Sequence, residues 1–408
     1  MPTVCLASTD IASQFKDLRK SFNLLGYDVI TYVHKIPDSP FIATDVYDYV
    51  GDNFFPSFFQ KLLKLKGYIG RISNFTGRYI RPIFIKNTIN SLIEECDIFI
   101  FLSSSFYHNF KDLEQIKNNN KKIVFIFCGD DARWYFSMEQ EFNAHGLLPI
   151  SYEKDYSYST RALNFRLKAI RNAEKYADFI FSKREQSQLQ IRPFFHFPMT
   201  VFSSDFPNNK ITQRDIPIVI HAPTSPNIKG TKYVLDAFEE LKKEGIAFQP
   251  LLLTNFPNKE ILIKIGDADI VIDQLLIPGG GRLSTEALSM GKVVLSNMSY
   301  NIYNQGNNLI DCPIVDVSPS TIYETLKKLI LDKNSRILIS EKGKKYVEKY
   351  LDTVILAKKI DSLVKSNSIL PDYYPTFFLE KFIPESTKAL KLYKKWTNFI
   401  KNENWFNP

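Results

Sequence analysis

The sequence predicts an α/β protein made of two doubly wound domains in tandem, facing each other across a cleft. Three observations predict it. Short β-branched and aromatic runs alternate with amphipathic segments from the first residues onward. The alternation breaks once, at the polar, turn-rich stretch SDFPNNKITQRD over 204–215, and then starts again. The chain, at 408 residues, is long enough for two cores of ordinary size.

In the first half, 4–7 reads as a short strand, 11–25 as a helix stopping at Gly26, and 28–33 as a second strand. A helix over 81–95 precedes a strand over 97–102. A helical segment over 111–118 leads into the strand IVFIFC over 123–128, which opens onto Gly129, Asp130, Asp131, Ala132 and Arg133. A long basic helix over 159–176 precedes a strand over 178–182.

The second half begins with a strand over 216–221, a loop over 223–230 and a helix over 231–243, with Tyr233, Val234, Ala237, Phe238 and Leu241 on one face. A strand over 250–254 and a short helix over 259–265 follow. The run Ile270, Val271, Ile272 reads as a buried parallel strand that empties into Pro278, Gly279, Gly280 and Gly281. Leu283, Ala287, Leu288 and Met290 then mark one side of a helix, Gly291 its stop, and 293–295 the next strand. A strand over 312–317 and helices over 320–331 and 335–350 complete the rhythm. The boundaries expected are an N-terminal domain over 1–208, a C-terminal domain over 209–365 and a helical tail over 366–408 that packs back on the N-terminal domain.

Composition narrows the function classes. A hydrophobic content of 44% and a charged content of 24% are those of a folded soluble protein. No apolar run of roughly 18 residues suggests a membrane-spanning helix, and MPTVCLASTD lacks the basic start and apolar core of an export signal. Cys5, Cys96, Cys128 and Cys312 form no C-x-x-C pair, which points to a reducing, cytoplasmic setting without structural zinc. The net charge of +8 suits a polyanionic partner: nucleic acid, an anionic membrane surface or a phosphate-bearing substrate.

Two basic amphipathic segments stand outside the rhythm. Segment 54–66, FFPSFFQKLLKLK, opens on Phe54 and closes on Lys66, and it suits the inner face of an anionic membrane. Segment 388–405 places Leu392, Trp396, Phe399 and Ile400 on one face, either for a membrane or for packing on the protein. Positive charge is spread along the chain and no nucleic-acid reader motif occurs, so no nucleic acid is expected as a partner.

The glycines at 279–281 lie between a strand and a helix. Such a turn lets the backbone approach a ligand and aims free N–H groups and the positive end of the helix dipole at it. The same turn also forms with no ligand at all. The loop HAPTSPNIKGTKY, from His221 through Lys229 and Gly230 to Tyr233, leaves another strand of the same sheet at the same edge. There Lys229 supplies a point charge for a diphosphate.

His221-Ala222-Pro223, then Lys229-Gly230-Thr231, DADIVIDQLL and GG…EALSMGKVVL together resemble the C-terminal half of GT-B glycosyltransferases. The likeness is to the retaining type that includes many capsule, lipopolysaccharide and exopolysaccharide enzymes. Gly129 to Arg133 is similar to the G-x-D-x-R turn of their first domain, and AIRNAEKYADFIF resembles the helix–strand unit that ends it. The resemblance covers most of residues 95–360. It implies two Rossmann-like domains and a UDP- or GDP-type sugar donor, with no metal needed for the chemistry and no other cofactor. The acceptor it implies is a glycan or a lipid-linked glycan.

By the same resemblance Lys229 contacts the diphosphate, and Gly279, Gly280, Gly281, Arg282 and Leu283 form the phosphate turn. Glu286 matches the second glutamate of the family's E-x7-E motif, which holds the ribose hydroxyls. His221 and Gly230 belong to the donor side, and Asp130, Asp131 and Arg133 to the acceptor side, with turn capping the alternative role for Asp130 and Asp131. The catalytic set expected is Glu286, Lys229 and Asp131. Pro278 stands where the motif's first glutamate belongs, and Pro226 where an arginine often precedes the Lys-Gly pair. Asp267-Ala268-Asp269 has D-x-D spacing but reads as a helix-to-strand junction rather than a metal site. Two alternatives are a UDP-sugar 2-epimerase of the same fold and a non-catalytic nucleotide-sugar-binding subunit.

Overall fold

The structure, a computed structural model, describes residues 1–37, 46–54, 81–144, 159–206, 213–299, 311–366 and 369–405. The expected membrane segment 54–66, Phe54 apart, lies outside the described residues. The chain divides into two compact units. One comprises Met1–Glu141, Tyr156–Phe197 and Ala357–Pro408, the other Phe142–Asp155 and Pro198–Leu356.

The first unit is built on β1 (Thr3–Ser8), α1 (Gln14–Leu24), β2 (Asp28–Val33), β3 (Tyr49–Val50), α2 (Arg81–Glu95) and β4 (Ile98–Leu102). It continues with α3 (Lys111–Asn118), β5 (Lys122–Ile126), α4 (Tyr135–Ala144, in this unit as far as Glu141), α5 (Thr160–Tyr176), β6 (Phe179–Ser182) and β7 (Phe195–His196). The strands form one sheet in the order β3-β2-β1-β4-β5-β6-β7, and every pair is parallel. Helices cover both faces of such a sheet, so its inner strands read as unbroken apolar runs, and every residue of β4 is buried. Phe101 and Phe125 from adjacent strands meet with ring centroids 5.6 Å apart. β3 and β7 are two residues long, too short for any periodicity to announce them.

The second unit repeats the plan with β8 (Ile218–His221), α6 (Pro226–Lys229), α7 (Thr231–Lys243), β9 (Gln249–Leu252), α8 (Asn258–Gly266) and β10 (Ile270–Ile272). Then come α9 (Arg282–Ser289), β11 (Val293–Ser296), β12 (Val315–Asp316), α10 (Ile322–Leu331) and α11 (Lys333–Tyr346). The parallel order is β12-β11-β10-β8-β9, which puts β10 at the centre. Three expectations change. The loop 223–230 contains a helical turn, because Pro226 starts it and Gly230 stops it in the left-handed conformation at φ 74°. The strand over 312–317 shrinks to two residues. The helix over 335–350 ends at Tyr346 and passes into a π-helical turn, Val347–Leu351.

Three helices close the chain: α12 (Thr353–Lys365), α13 (Phe377–Glu380) and α14 (Thr387–Ile400). The apolar face of α14 lies against α5, with Trp396 and Ile400 buried and the Trp396 indole N–H donating to Asn164 at 3.0 Å. The aromatic face at 388–405 is therefore spent inside the unit rather than offered to a membrane. Arg171 on α5 lies 4.6 Å from the Phe378 ring and pairs with Glu174 at 2.6 Å, both side chains wholly buried. The other Glu174 oxygen accepts the Ile191 and Arg192 amides.

In the second unit His221 ties three elements together. Its Nδ1 lies 2.9 Å from the Ile272 carbonyl and its Nε2 2.9 Å from the Thr231 hydroxyl, with no solvent exposure. A carbonyl can only accept, so Nδ1 carries the proton and Nε2 accepts from Thr231. Burial pushes the imidazole pKa down to about 4, so the ring is neutral.

Replacing Glu174 with Ala leaves the Arg171 guanidinium uncompensated and is expected to cost about 3–5 kcal/mol in denaturant unfolding. Between pH 6.5 and about pH 4 the unfolded chain binds a proton at His221 that the folded chain refuses. Its contribution is therefore full above pH 6.5 and is lost as pH falls, by about 3 kcal/mol at 1.4 kcal/mol per unit. Thermal midpoints measured across that window should drop with acid, and His221→Gln should remove this part of the slope.

Candidate functional site

The carboxyl end of β10 organises the site. The strand delivers Asp273, whose side chain has no solvent exposure. Lys229, the last residue of α6, donates from Nζ to Asp273 Oδ1 at 2.5 Å and to Gln274 Oε1 at 2.8 Å. The second carboxylate oxygen accepts the Gly281 N–H at 2.8 Å and the Ser284 hydroxyl at 2.7 Å. Burial would raise this carboxyl's pKa; the Lys229 ammonium and the Ser284 and Gly281 donors outweigh it and hold the group below the usual carboxylate range.

This arrangement accounts for a glycine at 281. A Cβ there would lie 2.9 Å from Asp273 Oδ2 and 3.5 Å from Lys229 Nζ. The close approach that excludes a side chain is thus to the protein's own carboxylate. The expected phosphate-facing Gly281 amide is likewise spent on Asp273. The rest of the turn is fastened from below: Gln274 Nε2 donates to the Gly279 carbonyl at 2.6 Å, and the Gly279 N–H donates to the Asn297 carbonyl at 2.7 Å. Pro278 is buried and Gly280 is half-buried.

Helix α9 begins immediately after this turn; its N-cap, Gly281, has no side chain of its own, and the Asp273 carboxylate takes the Gly281 N–H and the Ser284 hydroxyl there. Its first turn keeps the amides of Leu283 and Ser284 outside the intrahelical ladder and carries the positive end of the dipole. Arg282 and Leu283 are half-buried there, and Glu286, only 4% exposed, sits one turn in. Arg282 Nε donates to Glu286 Oε1 at 2.8 Å while its NH1 donates to the Thr200 carbonyl at 2.8 Å. Lys229, Gly279, Gly280, Gly281, Arg282, Leu283 and Glu286 thus share one edge of one sheet. Gly230 joins them through its neighbour, and His221 lies beneath as a strut between strands.

In the first unit Asp130, Asp131 and Arg133 share the turn after β5. Asp131 accepts the backbone N–H groups of Cys128, Gly129 and Ala132 at 3.0, 2.6 and 3.1 Å. Burial pushes its carboxyl up despite those bonds. Asp130 accepts from Arg133 at 2.6 Å and from the Tyr135 hydroxyl at 3.0 Å. The Asp267-Ala268-Asp269 stretch is a junction: buried Asp269 accepts the Ile218 N–H at 2.9 Å and pairs with Arg214 at 3.2 Å. Among the described residues no three His, Cys, Asp or Glu side chains group to hold a metal.

Asp273, Gln274 and Ser284 escaped the sequence reading. The signal available was an acid directly following a fully apolar central strand, at the edge where such sheets present their functional groups.

The sequence matches no protein-family model, and no curated protein matches it. Solved structures do match. An alpha-glucosyltransferase in complex with UDP-glucose and DNA containing an abasic site superposes with a TM-score of 0.55 at 13% identity, over 90% of this chain and 100% of that one. Sucrose-phosphate synthase from Thermosynechococcus elongatus superposes with a TM-score of 0.55 at 11% identity, over 90% and 98%. WaaG, a glycosyltransferase involved in lipopolysaccharide biosynthesis, superposes with a TM-score of 0.50 at 13% identity, over 90% and 100%. At such identities the likeness is one of fold: two parallel-sheet, Rossmann-like domains, as in the GT-B glycosyltransferases.

Proposed function

We propose that the chain is a glycosyltransferase that takes a sugar from a UDP-type nucleotide donor and passes it to a glycan or lipid-linked acceptor, with retention, in cell-surface polysaccharide synthesis. One observation carries the reading. The Lys229 ammonium lies beside the start of α9, where the Leu283 and Ser284 amides stay outside the helix ladder, with the Glu286 carboxylate one turn further along, at the carboxyl edge of the second sheet. A cation, a helix N-terminus and a carboxylate in that order suit a diphosphate followed by a ribose.

In the reaction the bond from the sugar's anomeric carbon to the β-phosphate oxygen breaks, and a bond to the acceptor oxygen forms on the same face. The acceptor proton passes to the departing phosphate. Lys229 and the α9 dipole stabilise the charge that builds on the diphosphate, which is electrostatic work done by preorganised groups. Glu286, oriented by Arg282, accepts the ribose hydroxyls. Asp130 and Arg133 serve the acceptor side, while Asp131 shapes the turn that carries them.

A thermal-shift screen against UDP, GDP, CMP and dTDP sugars identifies the donor, since a ligand that binds only the folded chain raises its midpoint. With that donor, Lys229→Ala and Glu286→Ala are each expected to lower affinity or turnover by about tenfold or more, at about 1.4 kcal/mol per decade. Unchanged kinetics in both variants would sink the assignment. Turnover of UDP-N-acetylglucosamine without acceptor would instead indicate an epimerase, and nucleotide binding without transfer from any donor a binding subunit.

A further inference from the structure

We propose that Asp273 is a positioning residue for the donor's diphosphate: it holds Lys229 and the Gly281–Ser284 turn in their binding geometry without touching the ligand. The inference rests on the nucleotide-sugar reading above.

Two roles are open to a carboxylate in this place. It could be an internal stand-in for phosphate that a ligand displaces, or a fixed support behind the ligand-facing groups. Exposure decides between them. The Asp273 side chain is wholly buried, whereas the Lys229 side chain is 16% exposed. The lysine side chain thus keeps a face toward solvent and the carboxylate has none, which suits the role of support behind a ligand-facing ammonium. An ammonium carries three donors, and Asp273 and Gln274 take two of them. Those two bonds fix the direction of the third.

The support extends to the turn. Oδ2 receives both the Gly281 N–H and the Ser284 hydroxyl, so a single carboxylate ties the end of α6, the end of β10 and the start of α9. Asp273 also carries a charge that opposes a diphosphate. Without it, however, Lys229 loses its anchor, and the turn's two inward donors lose the acceptor that sets the angle of α9.

The test compares UDP with uridine by calorimetry on the full chain, in the wild type, Asp273→Asn and Ser284→Ala, with thermal melts as a check of folding. Asp273→Asn is expected to weaken UDP about tenfold or more and to change uridine by less than about twofold, because only the phosphate-facing groups lose their support. Ser284→Ala, which removes one bond from the same carboxylate and strands no charge, is expected to weaken UDP about threefold with uridine again unchanged. If Asp273→Asn does not fold, the Ser284→Ala comparison decides. UDP bound as tightly or more tightly by the variants overturns the proposal, as does an equal loss for UDP and uridine. A wild type that binds no nucleoside diphosphate overturns it together with the reading on which it rests.

Discussion

The ion pair between Lys229 and Asp273 is the interaction on which the second unit's functional edge depends. A buried carboxylate survives away from water only if each oxygen is matched by donors, and here three converge on it: the Lys229 ammonium, the Gly281 N–H and the Ser284 hydroxyl. The consequences are local and specific. Residue 281 must lack a side chain, Lys229 must end its helical turn where Gly230 reverses the chain, and α9 must start directly over the end of the central strand. Because Lys229 and Asp273 nearly cancel, the proposed anion site relies on the direction of the remaining lysine donor and the helix dipole rather than on accumulated charge.

Much of this architecture was legible in the sequence. The parallel strands announced themselves because burial on both faces leaves unbroken apolar runs such as Ile98–Leu102 and Ile270–Ile272. The stops at Gly26 and Gly291 were legible because each lies in the left-handed region that favours glycine, whereas the helical turn that Gly230 ends was read as plain loop. The grouping of Lys229 with residues 279–286 followed from their shared place at the carboxyl ends of strands. What each group touches was not legible. Gly281 looked like a residue kept small for a ligand, and its neighbour is Asp273; His221 looked like a cleft residue, and both its ring nitrogens are used inside the sheet. Periodicity reports which face is buried, and it carries no information on which polar partner waits there. The basic helix at the C-terminus shows the same limit, since its amphipathic pattern fitted a membrane as well as it fits α5.

The absent first acid of the E-x7-E pattern has a structural counterpart. Pro278 is buried and the turn after it is hydrogen-bonded to Gln274 and Asn297, where the motif's acid would otherwise stand. The phosphate and ribose functions of the proposed donor site each have a residue placed for them, in Lys229 and Glu286.

The proposed donor site requires that the edge formed by Lys229 and the start of α9 recognise a nucleotide's terminal phosphate. Calorimetric titration of the unmodified chain with UDP and with UMP measures it most directly, because the two ligands differ only in that phosphate. UDP is expected to bind at least about tenfold more tightly, a difference of about 1.4 kcal/mol. Equal affinities would contradict it.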